Sequence, residues 1–400
     1  MFSNFNLSVL TETGETKMAL AFETDEYARR LKRLKESMVH KKLDAVLLFA
    51  QESMYWLTGY DTFGFVFFQC LAVTADGRMA LLTRSADIRQ ARQTSIIKDI
   101  RVWVDRGQSD PSRDLKDMLS EMDLLGAKIG VEYDTHGMTG RSARLLDEQL
   151  QSFCQLQDAS YLVSDLRLIK SPAEIAYIER AATFCDDAFD AALPLVRPGA
   201  DEAEILAAMQ GAVLAAGGDY PANNFIIGSG ESALLCRAKS GRRKLSDNDQ
   251  LTLEWAGVAA NYHVAAMRTV LTGEVSDRHQ TLFRAARATL ESIEEILRPG
   301  HTFGDVFDRH AEIMDERGLS RHRLNACGYS LGARFAPSWM EHQMFHAGNQ
   351  QPIQPDMSLF VHIIIMDSDS GSAMTLGRTY LTGKNEPKPL SRHPLDLYTK

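Results

Sequence analysis

The residues of this chain that could do chemistry are concentrated in LTLEWAGVAANYHVAAMRT, residues 251–269. The stretch reads as two strands joined by a turn, with Glu254 on the first strand. A strand pair with an acid on each strand can hold metal ions, because carboxylate oxygens are good ligands. Here the second strand carries no acid. The hairpin therefore predicts either a lost metal site or a site rebuilt for other chemistry.

Strand alternation indicates which of these side chains share a face. Residues two apart on a strand point the same way, so Thr252 lies with Glu254, and Phe360 lies with His362 on a later strand. A decayed site would fill with apolar residues, but this half of the chain keeps an acid, a phenol, imidazoles and arginines. The candidate site residues of this half are Glu254, His362, Tyr329, Arg237, Arg334 and His263.

The elements that must position these residues fall into two halves. In the first half, predicted strands alternate with predicted helices, which is the pattern of an α/β domain. In the second half, the capped start SPAEIAYIERAA opens a long helix, and further strands and helices follow in an α+β order. We predict an N-terminal domain over residues 1–168, with 1–23 as an arm, and a catalytic domain over residues 169–400.

Composition excludes several classes of protein. Lys and Arg total 44 against 53 Asp and Glu, a net charge of −9 that argues against binding nucleic acid or anionic membranes. No apolar run reaches the roughly 18 residues that a membrane span needs. The start lacks a charged leader followed by an apolar stretch. The five cysteines form no C-x-x-C pair, which is typical of a reducing compartment, so we expect a cytoplasmic protein.

Several motifs occur in an order that resembles one enzyme family. The segments are YWLTGYD, RLIKSPAEIAYIERAA, FIIGSGESALLCR, the 251–269 hairpin, CGYSLG and PDMSLFVH. Together they resemble the creatinase and aminopeptidase P family, M24, whose catalytic domain has the pita-bread fold. The resemblance implies an α/β N-terminal domain followed by an α+β pita-bread domain. It covers nearly the whole chain after about residue 24.

The resemblance also carries over the positions of the family's metal ligands. In metal-dependent members, two Asp, one His and two Glu bind a pair of metal ions. Those positions fall on Glu254, Ala265, Tyr329, His362 and, where the alignment is loosest, near Leu376. These five residues cannot supply the anionic oxygens that two dications require.

A second arrangement superficially suggests zinc. His342 and His346 lie close to Glu341, but their spacing differs from H-E-x-x-H. We therefore predict no metal and no other cofactor.

Three segments resemble a metal-free branch of the family, the ectoine hydrolases. They are GDYPANNFIIGSGESALLCR, SGRRKLSDNDQLTLEWAGV and APSWMEHQMFHAGN. The resemblance implies opening of the cyclic amidine ring of ectoine to N-acetyl-2,4-diaminobutyrate. Hydroxyectoine is a candidate second substrate, and a deacetylase of the same pathway is a candidate partner. Two further functions stay open: a non-catalytic module that binds peptide or protein, and a lyase acting on dimethylsulfoniopropionate.

Each candidate residue has an expected role in that chemistry. Glu254 acts either as the nucleophile on the amidine carbon or as general base on water. His362 passes the proton to the leaving nitrogen, and Tyr329 donates a hydrogen bond. Arginine binds the substrate carboxylate, with Arg237 preferred because the catalytic His of the metal-dependent members falls there, and Arg334 next. For His263, packing in the core is the alternative to substrate binding.

The family resemblance implies that the site is shared between subunits. Related enzymes lend residues of the N-terminal domain to a partner subunit's site, which predicts a homodimer. The aromatic residues nearest to the YWLTGYD motif are candidates for cation–π contacts with the amidinium, although core packing is the alternative for each. They are Tyr55, Trp56 and Phe63.

Overall fold

Two short strands near the start of the chain, β1 (Ser8–Leu10) and β2 (Thr16–Met18), pair in an antiparallel hairpin. The computed structural model describes residues 8–10, 16–18, 20–107, 109–238 and 241–400. The chain divides into two compact units, Met1–Arg167 and Leu168–Lys400. The arm predicted for residues 1–23 lies partly outside the described residues, and its described part contains this hairpin.

The N-terminal unit is a six-stranded mixed sheet with helices between its strands, as the alternating pattern predicts. The strand order is β6-β5-β4-β3-β7-β8. Its elements, in chain order, are α1 (Thr24–Lys41), β3 (Ala45–Leu48), α2 (Gln51–Thr58), β4 (Cys70–Thr74), β5 (Met79–Arg84), α3 (Ile88–Thr94), β6 (Asp99–Trp103), α4 (Pro111–Glu121), β7 (Lys128–Val131), α5 (Gly140–Leu150), β8 (Gln155–Asp158) and α6 (Leu162–Arg167).

The continuous apolar run of β3 is explained by burial on both faces of this sheet. Ala45 and Leu47 pack into one core cluster, while Val46 and Leu48 pack into another. β6 and β8 are the edge strands of this sheet. Both are largely half-exposed, so their sequences lack the apolar run that reveals a central strand.

The C-terminal unit begins at the predicted capped helix. Ser171 and Glu174 form a capping box, and Pro172 occupies the first helical turn. The elements, in chain order, are α7 (Pro172–Ala192), α8 (Glu202–Ala215), β9 (Ile226–Ser229), β10 (Asp249–Ala259), β11 (Tyr262–Thr272), α9 (Asp277–Glu294), α10 (Phe303–Glu316), β12 (Gly328–Ser330), β13 (Ser358–Asp367), β14 (Ser372–Leu381), β15 (Lys388–Pro389) and β16 (Tyr398–Thr399).

The predicted hairpin at residues 251–269 is formed by β10 and β11, which pair from Asp249↔Thr272 to Ala259↔Tyr262. Ala260 and Asn261 make the turn with φ of 49° and 63°. A two-residue turn with positive φ matches the twist of the flanking strands. The hairpin belongs to a sheet of order β12-β13-β14-β11-β10-β9, in which β15 pairs with β14 and β16 with β11.

The two faces of this sheet differ in chemistry. On one face, alternate residues of β13 and β14 join a core cluster with α9 and α10, including Leu359, Val361 and Leu376. The opposite face keeps polar side chains on the intervening positions of the same strands. It is this polar face that carries the candidate site. Within the described residues, no helix is both long and apolar enough to cross a membrane.

Candidate active site

Glu254 lies in a row of residues that crosses four strands of the polar face. It pairs with Met267, Met267 pairs with Gly377, and Gly377 pairs with His362. Directly paired residues of antiparallel strands project to the same face. The register therefore brings the carboxyl group and the imidazole onto one surface, with a methionine and a glycine between them.

Gly377 matters because it leaves room for an aromatic ring. A Cβ at this position would lie 2.8 Å from Met267 Cβ and 2.8 Å from Phe360 Cζ. The ring of Phe360 therefore rests against the glycine. Its centroid is 5.5 Å from that of Tyr329 and 5.4 Å from that of His362.

Tyr329 connects the edge strand β12 to the carboxyl group. It pairs with Phe360 across the sheet, so it shares the polar face. Its hydroxyl donates to Glu254 Oε1 at 3.4 Å, and the indole N–H of Trp339 donates to the same hydroxyl at 2.9 Å. The Tyr329 and His362 ring centroids are 5.7 Å apart. Three predicted residues, Glu254, Tyr329 and His362, are thus brought together.

The electrostatics of Glu254 are set by burial. Burial raises its pKa to about 7, and Arg237 and the Tyr329 hydrogen bond offset this only in part. Glu254 forms no ion pair among the described residues, and its side-chain hydrogen bond is the long one from Tyr329. Burial and the neighbouring Glu254 raise the pKa of Tyr329 well above its ordinary value, so Tyr329 remains a donor at neutral pH.

His362 is neutral in this environment. Burial lowers its pKa to about 4. Its Nδ1 is buried and has no hydrogen-bond partner within the described part of the chain. A neutral imidazole offers one N–H and one lone pair, so His362 can pass a proton between groups without holding a charge.

Arg237 supplies a positive charge that acts on Glu254. It follows the short helical turn Gly230–Leu234, which contacts β10, and its side chain is exposed. Its charge lowers the pKa of both Glu254 and Cys236. An exposed guanidinium whose charge acts on a buried carboxyl group is suited to binding a carboxylate that arrives with a ligand.

The donor set does not fit a pair of metal ions. Glu254 is the one carboxylate at the predicted ligand positions, beside the methyl group of Ala265, the phenol of Tyr329 and the imidazole of His362. The family's final ligand position was assigned near Leu376. The pairing of β13 with β14 instead places Leu376 in the apolar cluster on the helix-packed face. Gly377 takes the place on the polar face and offers no ligand at all.

A different group of potential metal ligands lies at the far end of β13. Among the described residues, His322, Asp367 and Asp369 form the one cluster of three such side chains within reach of one another. Arg278 already pairs with Asp367 there. The cluster does not include His342 or His346, the pair weighed for zinc, and both of those are exposed.

Two residues predicted to bind substrate, His263 and Arg334, make hydrogen bonds to backbone groups of loops. His263 is fully buried and accepts the backbone N–H of Ala222 at Nε2, 2.9 Å away, and burial lowers its pKa to about 4. Arg334 donates to the carbonyl of Ser338 at 3.2 Å and lies 3.6 Å from Glu341. The first contact holds the segment before β9, and the second holds the loop that carries Trp339. Direct contact of either side chain with substrate stays a prediction.

The three aromatic candidates of the N-terminal unit have different environments. Tyr55 and Trp56 are buried within that unit, and Trp56 belongs to its core cluster. The guanidinium of Arg30 lies 5.3 Å from the Trp56 ring centroid. Their contact with a ligand stays a prediction. Phe63 is 84% exposed and remains accessible.

Sequence reasoning missed Trp339 and Gly377 as members of the site. Trp339 lies in a loop with no strand or helix periodicity, so only its contact with Tyr329 reveals it. Gly377 comes directly after Leu376, the residue to which the family's final ligand position was assigned. A glycine inside a predicted strand is a signal for close approach by another group, and it could have been used.

Profiles of two sequence families match the chain. The creatinase/prolidase N-terminal domain matches residues 30–169, and metallopeptidase family M24 matches residues 176–384. The ectoine hydrolase of Halomonas elongata is 26% identical over 96% of this chain and 100% of its own. A creatinase from a Bacillus species is 27% identical over 81% of this chain and 79% of its own.

Solved structures match at lower sequence identity. A prolidase from Thermococcus sibiricus has a TM-score of 0.84 at 18% identity, covering 94% of this chain and 99% of its own. A dipeptidase from Pyrococcus horikoshii has a TM-score of 0.81 at 21% identity, covering 93% and 100%. These likenesses confirm the predicted fold class, an α/β N-terminal domain with a pita-bread C-terminal domain.

Proposed function

The chain belongs to metallopeptidase family M24, and we propose that it is a metal-independent hydrolase that opens the cyclic amidine ring of ectoine. The observation that carries this proposal is the state of Glu254. It is a buried carboxyl group with no ion-pair partner among the described residues, and its neighbours are aromatic rings. A buried acid in such a place is costly when ionised, and a planar cation would remove that cost.

The amidinium of ectoine has the required shape and charge. Its positive charge is delocalised over a flat N–C–N unit, which can lie against Glu254. Phe360 and Tyr329 present rings to the same space, and cations are attracted to ring faces by about 0.5 to 2 kcal/mol. In this proposal, these rings replace Tyr55 and Trp56 as the cation–π partners.

The carboxylate of ectoine gives the substrate its second contact. Arg237 is exposed and close enough to Glu254 to lower its pKa. The site thus combines a negative group with a positive group whose charge acts on it, and this combination matches a zwitterion. A dipeptide would need a group to polarise its neutral carbonyl, which the substituted ligand positions do not provide.

Binding of the cation activates Glu254. In the free enzyme the raised pKa leaves part of the carboxyl protonated at neutral pH. A positive charge a few ångströms away favours the ionised form. The substrate itself therefore generates the carboxylate that attacks it or that deprotonates water.

Two routes lead from this complex to the product. In the covalent route, a Glu254 oxygen bonds to the amidine carbon, the bond from that carbon to one ring nitrogen breaks, and water then cleaves the acyl imidate that joins enzyme and substrate. In the general-base route, Glu254 takes a proton from water as the water oxygen bonds to the same carbon. The bond from that carbon to one ring nitrogen then breaks, and the nitrogen leaves with a proton. Both consume one water and yield N-acetyl-2,4-diaminobutyrate.

His362 and Tyr329 assist in either route. His362 is neutral and has an unpartnered nitrogen among the described residues, so it passes a proton to the departing ring nitrogen. Tyr329 holds Oε1 of Glu254 by its hydrogen bond, which leaves the other carboxylate oxygen for chemistry.

The same proposal includes the wider setting of the enzyme. The likeness to the Halomonas elongata ectoine hydrolase supports ectoine as substrate. Hydroxyectoine remains a candidate second substrate. We also propose a homodimer in the cytoplasm, with a deacetylase of the same pathway acting next.

The experiment is incubation of chelator-treated protein with ectoine, followed by mass analysis of the product. The expected result is a gain of one water and an acetylated diaminobutyrate. Rapid-quench peptide mapping separates the two routes, because an adduct on the Glu254 peptide means covalent attack. Activity lost on chelation and restored by a transition metal would overturn metal independence. Tight peptide binding without turnover of ectoine or dimethylsulfoniopropionate would favour a binding module.

A further inference from the structure

Three groups in series define the direction of the hydrogen bond that reaches Glu254. The indole N–H of Trp339 lies 2.9 Å from the Tyr329 hydroxyl, and that hydroxyl lies 3.4 Å from Glu254 Oε1. An indole N–H can only donate. The Tyr329 oxygen must therefore accept from Trp339, which leaves the phenolic hydrogen free to point at Glu254.

The loop that carries Trp339 is tied at several points. It leaves β12 after Ser330 and returns at Glu341, whose backbone N–H donates to the Ser330 carbonyl at 3.2 Å. Within it, Arg334 donates its backbone N–H to the Asn261 carbonyl and its side chain to the Ser338 carbonyl. Trp339 itself is fully buried, and its ring centroid lies 6.2 Å from that of His263. The indole is held in place independently of the catalytic carboxyl.

We propose that Trp339 is a positioning residue, which orients the Tyr329 hydroxyl so that its proton is directed at Glu254. This proposal rests on the proposed function only where it predicts that substitution of Trp339 slows turnover of ectoine. The hydrogen-bond chain itself can be tested without any substrate. A ring that served packing alone would show neither the spectroscopic nor the kinetic coupling described below.

The first test uses ¹⁵N-labelled tryptophan, because the chain has four tryptophans and their indole signals can be assigned by substitution. Tyr329→Phe keeps the ring and deletes only the hydroxyl. The expected result is a shift of the Trp339 indole signal, because its N–H loses its acceptor. The signal of Trp255, whose N–H bonds to the Cys185 carbonyl at 2.8 Å, should stay in place. An unmoved Trp339 signal would overturn the proposal.

The second test is a double-mutant cycle on turnover of ectoine. Trp339→Phe removes the donor and keeps a ring, and we expect kcat to fall about tenfold with KM within about twofold, as expected for one lost hydrogen bond. In the Tyr329→Phe background, the same substitution should have no further effect on kcat. Additive losses would mean that Trp339 acts through packing, and the proposal would fail.

The matched control is Trp255→Phe, which also removes a buried indole and its hydrogen bond. The Trp255 indole points away from the polar face. The substitution should therefore reduce stability without changing the Glu254 titration. Carboxyl ¹³C signals report that titration directly. Among the described residues, Arg237, Cys236 and Tyr329 are the ionisable groups that interact with Glu254, and His362 lies against Tyr329. Trp339→Phe should raise the midpoint for Glu254. If ectoine is not turned over but the indole and carboxyl shifts appear, the proposed substrate fails while the positioning role stands.

Discussion

The N-terminal and C-terminal units each contain a buried glutamate whose pKa is raised to about 7, chiefly by burial. Glu132 follows β7 and accepts hydrogen bonds from the backbone N–H groups of Phe49 and Ala50, at 3.0 and 2.9 Å, and from the Ser53 hydroxyl at 2.6 Å. Glu254 has one long hydrogen bond, from Tyr329, within the described part of the chain.

The number of donors separates the two glutamates. The donors to Glu132 lie around the start of α2, so this carboxyl stabilises the helix N-terminus. The carboxyl of Glu254 is left with hydrogen-bonding capacity that the described residues do not use. A raised pKa alone therefore does not identify a catalytic acid. A raised pKa with unused capacity beside aromatic rings is the more specific signal.

The largest expected effect comes from Glu254→Gln, which removes the charge and keeps the shape. If Glu254 is nucleophile or base, ectoine turnover should fall by roughly 10² to 10⁴-fold. Stability should not fall, because the amide removes a buried charge. Steady-state kinetics and urea unfolding measure the two quantities. Turnover within a few-fold of wild type would make Glu254 a structural acid like Glu132.

The opposite outcome is expected for Glu132→Ala. Its three donors lose their acceptor, and the free energy of unfolding should fall by about 3 kcal/mol. The kcat of the folded fraction should stay within a few-fold of wild type. Glu132→Gln keeps one acceptor oxygen and should show a smaller loss of stability. A large loss of kcat in either variant, at unchanged stability, would break the distinction between the two glutamates.

Arg237→Gln tests the charge that distinguishes the surroundings of Glu254. We expect KM for ectoine to rise by roughly 10 to 100-fold, because a charged hydrogen bond to the substrate carboxylate is lost. The pKa of Glu254 should also rise, since Arg237 lowers it. An amidinium analogue that lacks only the carboxylate should bind both enzymes equally. A KM unchanged by the substitution would assign the carboxylate to another group.

The pH dependence should show the smallest effect. Because Glu254 must be ionised, kcat/KM should rise with pH through about 7 and fall tenfold per unit below it. Folding stability should change with pH in the opposite direction, because a raised pKa means that the folded state binds the proton more tightly than the unfolded state does. Stability should decline as pH rises from about 4.5 to about 7. In Glu254→Gln the decline should be shallower, with the Glu132 contribution remaining. An equal slope in the variant would contradict the raised pKa of Glu254.

The sequence by itself determined the local features of this protein. Alternation on β10 placed Glu254 on one face and Leu253 on the other, and the SPAE start defined the capped helix α7. The motif order predicted the family and fold class that the comparisons confirm. These features follow from nearest neighbours and from periods of two or 3.6 residues, which a sequence displays directly.

Tertiary structure alone decided which residues meet Glu254. The register of β14 against β11 and β13 sets Gly377, not Leu376, on the polar face, and a slip of one residue reverses that choice. The loop after β12 brings Trp339 back to Tyr329, and Tyr55 and Trp56 are buried within the N-terminal unit. Such pairings join residues far apart in the chain, and the energy that selects them comes from burial of whole faces, which no local pattern contains.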